Sequence, residues 1–200
     1  MSDPITFHFD FSSPYGYLAS TKIDALGAKY GREVVWKPFL IGATFKVTGL
    51  PALVEIPLKG DYARHDFARS ARFHGVSYRH PEPFPIATQA PARAFYWVDK
   101  QDKVRAKQLA VALLKAYFVD GINISNPADT VAVARGLGHD AAALEAALND
   151  PAVKALLKSE VDAAMAKGVF GSPFVFVGNE AFWGIDRFDQ IERWLATGGF

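Results

Sequence analysis

The sequence predicts an α/β fold in which a small sheet is interrupted by a large all-helical insertion, and three observations predict it. An alternating strand pattern, a helix and a second strand open the chain. Two short apolar strand patterns and a last helix close it. Between them, alanine-rich and leucine-bearing segments recur at helical spacing with short Gly, Asn, Asp or Pro breaks.

In the first part, Ile5, Phe7, Phe9 and Phe11 alternate with Thr6, His8 and Asp10, as a half-buried strand requires. Pro14 suits a first helical position, and Ser12 and Ser13 straddle the cap, where hydroxyls satisfy orphan backbone donors. One helix is expected from Pro14 to Tyr30, ending at Gly31, followed by a strand over Val34, Val35 and Trp36 that Pro38 closes. A right-handed crossover to a parallel neighbour follows from this order. Residues 42–168 then read as helices over Asp61–Phe73, Gln89–Trp97 and Lys103–Val119, with further ones opening at Asn126-Pro127, Asp140 and Pro151. Leu50–Gly60 reads as an irregular loop beside an opening. The sheet resumes with Phe174–Val177, a Gly178-Asn179 hairpin turn and Ala181–Trp183, and Asp186 begins a closing helix that runs through Leu195. The order β-α-β, many helices, β-β-α is the thioredoxin plan, with residues 1–41 and 169–200 forming a thioredoxin-like domain and 42–168 inserted in it.

Totals exclude several classes of function. The 200 residues carry 22 basic and 21 acidic side chains, well mixed for a net charge of +1, which leaves no electrostatic footprint for nucleic acid or an anionic membrane. No apolar run approaches the roughly 20 residues of a membrane span, and the N-terminus lacks a basic segment before a hydrophobic run, so the cytoplasm is the expected location. Cysteine is absent, which removes disulfides, protein thiolates and a redox-active pair. Any thiol chemistry must use a borrowed thiol. The five histidines show no metal-site spacing, no metal is expected, and His65 with Asp66 reads as an exposed helix face.

Three short segments could carry chemistry. Ser12-Ser13-Pro14 stands where a strand hands over to a helix N-terminus, a place for an anion or simply a cap. Gly171-Ser172-Pro173 precedes the apolar strand, and Pro173 can begin a strand after either a trans or a cis bond; a cis bond would turn the N–H and C=O of Ser172 outward as a pairing edge for a peptide. In Trp183-Gly184-Ile185-Asp186-Arg187, Asp186 either caps the closing helix or receives an α-amino group beside backbone N–H groups that receive a carboxylate.

Taken in order, Asp10 to Ala19, Val169 to Pro173 and Phe182 to Arg187, with the intervening Asp120-Gly121-Ile122-Asn123-Ile124-Ser125, resemble the 2-hydroxychromene-2-carboxylate isomerase family, which is close to the kappa-class glutathione transferases. The resemblance spans nearly the whole chain. It implies a thioredoxin fold with a helical insertion, a cis Pro173, a homodimer and reduced glutathione as cofactor. It also implies a reversible interconversion of 2-hydroxychromene-2-carboxylate and trans-o-hydroxybenzylidenepyruvate through thiolate addition, bond rotation and thiolate loss. Ser13 matches the catalytic serine that holds the glutathione sulfur, and Ser172 beside Pro173 matches the residue that pairs with the cysteinyl part. Trp183, Gly184, Ile185 and Asp186 match the segment that holds the γ-glutamyl end. Lys46 matches a basic position that contacts a small aromatic substrate; read on its own it is equally a solvated helix lysine. The family usually has asparagine in the loop after this lysine and at position 87, and a polar residue at 185; this chain has Gly49–Leu53 without asparagine, Ala87 and Ile185, which predicts weaker glutathione binding.

Two other readings share these residues. A glutathione transferase would use the same thiolate addition and release the conjugate. A non-catalytic thioredoxin-fold binding module would keep the peptide edge near Pro173 and need no Ser13. The aromatic surplus, 16 Phe, 7 Tyr and 4 Trp, adds to the expectation of a dimer.

Overall fold

A computed structural model of the chain describes residues 3–200. Its sheet has four strands in the order β2-β1-β3-β4. β1 (Ile5–Phe9) runs parallel to β2 (Val34–Pro38), with Phe7 opposite Trp36, and antiparallel to β3 (Phe174–Val177), which pairs antiparallel with β4 (Glu180–Trp183). The period of two sends Ile5, Phe7 and Phe9 to one fully buried face. Phe7 and Phe9 meet Trp36 edge-on at 5.2 and 5.4 Å between ring centroids. His8, on the other face, lies between Phe39 and Phe176, and neither of its ring nitrogens has a hydrogen-bond partner among the described residues.

Instead of the single helix expected over residues 14–30, two short ones form: α1 (Pro14–Ser20) and α2 (Ile23–Lys29). The hydroxyls of Ser20 and Thr21 donate to the carbonyls of Tyr17 and Leu18 at 2.6 and 2.7 Å. These side chains compete with the backbone donors for the same acceptors, and Thr21 and Lys22 close i to i−3 bonds instead. The helix ends there.

The insertion contains α3 (Ile41–Thr48), a 3-10 turn at Leu53–Glu55, α4 (Lys59–His74), α5 (Gln89–Asp99), α6 (Lys103–Phe118), α7 (Pro127–Gly136), α8 (Ala141–Asn149) and α9 (Pro151–Ala166). Asp102, Asn126, Asp140 and Asp150 each accept a hydrogen bond from a first-turn N–H, and Pro127 and Pro151 occupy first helical positions, so the local cap chemistry accounts for four of these starts. The helices share their core with the sheet: Phe9 meets Phe95 of α5 at 6.4 Å, and Tyr17 of α1 stacks on Phe118 of α6 at 5.2 Å.

The closing helix, α10 (Phe188–Thr197), begins after Asp186 rather than at it. Gly184, at φ 108°, turns the chain out of β4, and the Arg187 N–H bonds back to the Gly184 carbonyl at 3.3 Å, winding Ile185–Arg187 as a 3-10 turn. Among the described residues, no helix is long and apolar enough to cross a membrane, and no group of three or more His, Asp or Glu is placed to hold a metal.

Candidate active site

Three stretches distant in sequence meet at the end of β1 that feeds α1. Ser13 is the N-cap of α1, in extended conformation, and its hydroxyl accepts from the Gly16 N–H at 3.0 Å. The same hydroxyl donates to the carbonyl of Ser172 at 3.0 Å. The Ser172–Pro173 peptide bond is cis, and the Pro173 carbonyl accepts from the Gly184 N–H at 3.0 Å, tying this loop to the end of β4. Glycine is required where these stretches touch: a Cβ on Gly16 would lie 2.6 Å from Ser172 Oγ, and one on Gly171 would lie 2.2 Å from the Trp183 indole nitrogen. Trp183 therefore lies flush against Gly171, with Phe170 edge-on to it at 4.8 Å.

A cleft of about 1580 Å³ opens here. Ser13, Ser172, Trp183, Gly184, Ile185, Asp186 and Lys46 all line it; Pro173 is not among the lining residues. Lys46 is exposed in the last turn of α3. Asp186 keeps a 69 % exposed side chain 3.4 Å from the Arg187 guanidinium. Ala87 and Ile185, which replace the polar residues the resemblance implies, also line it. Much of the remaining wall is apolar, with Phe45, Leu53, Phe67, Phe84 and Phe170 among its residues. The Ser172 N–H has no hydrogen-bond partner among the described residues, nor do the first two N–H groups of the 3-10 turn, those of Ile185 and Asp186.

Some residues of the site escape a reading of the sequence alone. Asp10, seen there as a polar alternation position in a strand, is 1 % exposed, and its carboxylate accepts from Ser12 N–H, Ile41 N–H and the Thr88 hydroxyl. Burial pushes its carboxyl up to about 6, against the three donors, which favour the anion. The signal was a carboxylate at the end of an apolar strand, which cannot be buried without donors. Ser12 is not part of the cap: its hydroxyl accepts from Ile86 N–H at 3.0 Å and fixes the neighbouring loop. Asp66 is not simply one side of an exposed face either. His65 is exposed, but Asp66 is half-buried and accepts from the Tyr15 hydroxyl, Arg69 and Ser70. Burial first, then that bond and charge, raise the Tyr15 hydroxyl far above its ordinary value and keep it protonated.

Chemically, the cleft offers the Ser13 hydroxyl, a backbone edge at Ser172, the Asp186 carboxylate beside unpaired N–H groups of its turn, and the Lys46 ammonium group. This array suits an extended peptide laid beside an apolar molecule.

A model of the DSBA-like thioredoxin domain matches residues 4–196. The 2-hydroxychromene-2-carboxylate isomerase of Sphingobium xenophagum is 28% identical over 197 residues, covering 98% of this chain and 99% of its own. Glutathione s-transferase kappa 2 of Caenorhabditis elegans is 25% identical over 205 residues, covering 96% of this chain and 91% of its own. A solved structure of selenomethionine 2-hydroxychromene-2-carboxylate isomerase superimposes with a TM-score of 0.87 at 26% identity, covering 96% of this chain and 94% of that one.

Proposed function

The chain belongs to the DsbA-like thioredoxin domain family, and because it has no cysteine of its own we propose that it borrows one, as a glutathione-dependent isomerase. The reaction is the interconversion of 2-hydroxychromene-2-carboxylate and trans-o-hydroxybenzylidenepyruvate, or of a related aromatic catabolite. The observation that carries this reading is the single cleft shared by Ser13, the Ser172 edge, the Gly184–Asp186 turn and Lys46. Relatives named as isomerases over nearly the full length of both chains support it.

Glutathione fits the residues present. The unpaired N–H and the carbonyl of Ser172 form an edge for the cysteinyl unit, and Asp186 with the free N–H groups of its turn suits an ammonium and a carboxylate at the γ-glutamyl end. When bound, it would supply a thiolate nucleophile that adds to the substrate reversibly and leaves unchanged. Ser13 would exchange its hydrogen bond to the Ser172 carbonyl for one donated to the glutathione sulfur, which would favour the ionised form. Lys46 meets the substrate carboxylate, and the apolar wall takes the aromatic ring while shielding the reacting atoms from water. The protein acts as a homodimer in the cytoplasm, where glutathione is held reduced.

A transferase of the kappa class is the second reading, favoured by the kappa relative. Titrating the purified protein with reduced glutathione, then following glutathione during turnover of 2-hydroxychromene-2-carboxylate, separates the readings. Binding with glutathione conserved supports the isomerase, and stoichiometric loss supports the transferase. No binding at millimolar glutathione rejects both and leaves a non-catalytic binding module.

A further inference from the structure

Every polar atom of Asp10 is engaged, and each bond reaches a different part of the cleft. Its N–H donates to Ser172 Oγ at 3.0 Å, and its carbonyl accepts from the Ser13 N–H at 3.0 Å. One carboxylate oxygen accepts from the Ser12 N–H at 2.7 Å; the other accepts from the Ile41 N–H at 2.8 Å and from Thr88 Oγ1 at 3.0 Å. Ile41 is the first residue of α3, the helix whose last turn carries Lys46. Thr88 ends the loop that holds Phe84 and Ala87 against the cleft.

We infer that Asp10 is the positioning residue of this site: its ionised carboxylate holds the Ser13 turn and the start of α3 at the mutual spacing the reaction needs. The catalytic part of this inference rests on the glutathione-dependent reading above. Burying a carboxylate away from water is costly unless hydrogen bonds replace its hydration, so a 1 % exposed Asp10, with no cation bonded to it among the described residues, depends on its three donors. The dependence is mutual. Two of those donors are backbone N–H groups that cannot reverse polarity, so a proton on the carboxyl removes the negative charge that strengthens both bonds. The residues in contact with the side chain, Ser12, Ile41 and Thr88, carry no titratable group; Tyr117 of α6 is the titratable group that feels its charge. With a carboxyl raised to about 6 by burial, the clamp loosens as the pH falls through that value.

Two measurements test this. In the wild-type protein without ligand, the amide resonances of Ser12 and Ile41 should titrate together with a midpoint near pH 6. Amides that do not shift with the ionisation of Asp10, or that titrate independently, overturn the clamp whatever the protein binds. In Asp10→Asn, an NH2 group replaces one acceptor, and turnover of 2-hydroxychromene-2-carboxylate per glutathione-binding site should fall by about a hundredfold, the loss that a displacement near 1 Å produces. Its activity should also lose the part of the acid limb expected in the wild type from protonation of Asp10, near pH 6. Because rates are counted per glutathione-binding site, a merely structural role would leave turnover within a few-fold of wild type with the limb intact, and that result rejects the inference. A wild-type protein that binds no glutathione fails the functional reading alone, and the amide titration then decides the clamp.

Discussion

The Ser13 hydroxyl donates to the Ser172 carbonyl at 3.0 Å while accepting from the Gly16 N–H at 3.0 Å. Its single proton is thus held on the loop that precedes Pro173, and a sulfur laid beside Ser172 has to draw it away. The Gly16 bond stays in place during that exchange, because it uses a lone pair. Ser13 can therefore cap α1 and serve a ligand at once.

Removing the hydroxyl separates these roles. Ser13→Ala should lose the cap, at about 1 kcal/mol of stability, and the donor to the thiolate, at about a hundredfold in kcat. Glutathione affinity should change only a few-fold, because Ser172 and Asp186 remain. Thermal unfolding, calorimetry and steady-state kinetics on one preparation check the three numbers together; unchanged kcat would remove Ser13 from the mechanism.

Gly16→Ala tests the close approach of α1 to the Ser172 loop. Helix propensity alone favours alanine by about 1 kcal/mol. The added methyl, however, would lie 2.6 Å from Ser172 Oγ and 3.2 Å from Ser13 Cβ, so the loop must move. The expected result is weaker glutathione binding and lower turnover without a gain in stability. A variant that is more stable and fully active would show that the spacing is unimportant.

Asp186, also in the cleft lining, is well exposed and lies beside Arg187. A charge-assisted contact from such a side chain is screened by water, so Asp186→Ala should weaken glutathione by about 1 kcal/mol, roughly fivefold in Kd. Added salt should narrow the difference between variant and wild type. Affinity that is independent of both Asp186 and salt would move the γ-glutamyl end elsewhere.

Local chemistry explains what was readable in the chain. Strand alternation at Ile5–Phe9 and the caps at Asp102, Asn126, Asp140 and Asp150 act within a few residues of themselves, and each leaves a pattern. The same logic failed at Ser20 and Thr21, whose hydroxyls turn back onto the helix and end it. Resemblance gathered Ser13, Ser172, Pro173, Trp183, Gly184, Ile185, Asp186 and Lys46, and all of them except Pro173 line one cleft. Asp10 and the Tyr15–Asp66 pair were not legible as parts of the site, since the contacts that tie them into it, Asp10 to Ser172, Ile41 and Thr88 and Tyr15 to Asp66, span 31 to 162 residues and only folding supplies them.

Stability against pH should expose two buried groups that oppose each other. Desolvation, helped by Lys167 and Lys37, lowers His8 from 6.5 to about 4, so between those values the unfolded chain binds a proton that the folded one does not. This contribution is complete above pH 6.5 and is lost as the pH falls toward 4. Asp10 runs the other way: burial raises it from 3.8 to about 6, so in that window the folded chain holds the extra proton and its contribution declines as the pH rises. The two slopes cover nearly the same range with opposite signs. His8→Phe keeps a ring between Phe39 and Phe176 and removes only the first slope. Relative to wild type, it should therefore gain stability as the pH drops from 6.5 to 4, by on the order of 3 kcal/mol at the acid end. Asp10→Asn removes only the second slope, so relative to wild type it should lose stability over the same descent. Chemical denaturation of the three proteins at pH 4, 5, 6 and 7 checks both signs; parallel curves for variant and wild type would mean that neither group titrates differently in the folded state.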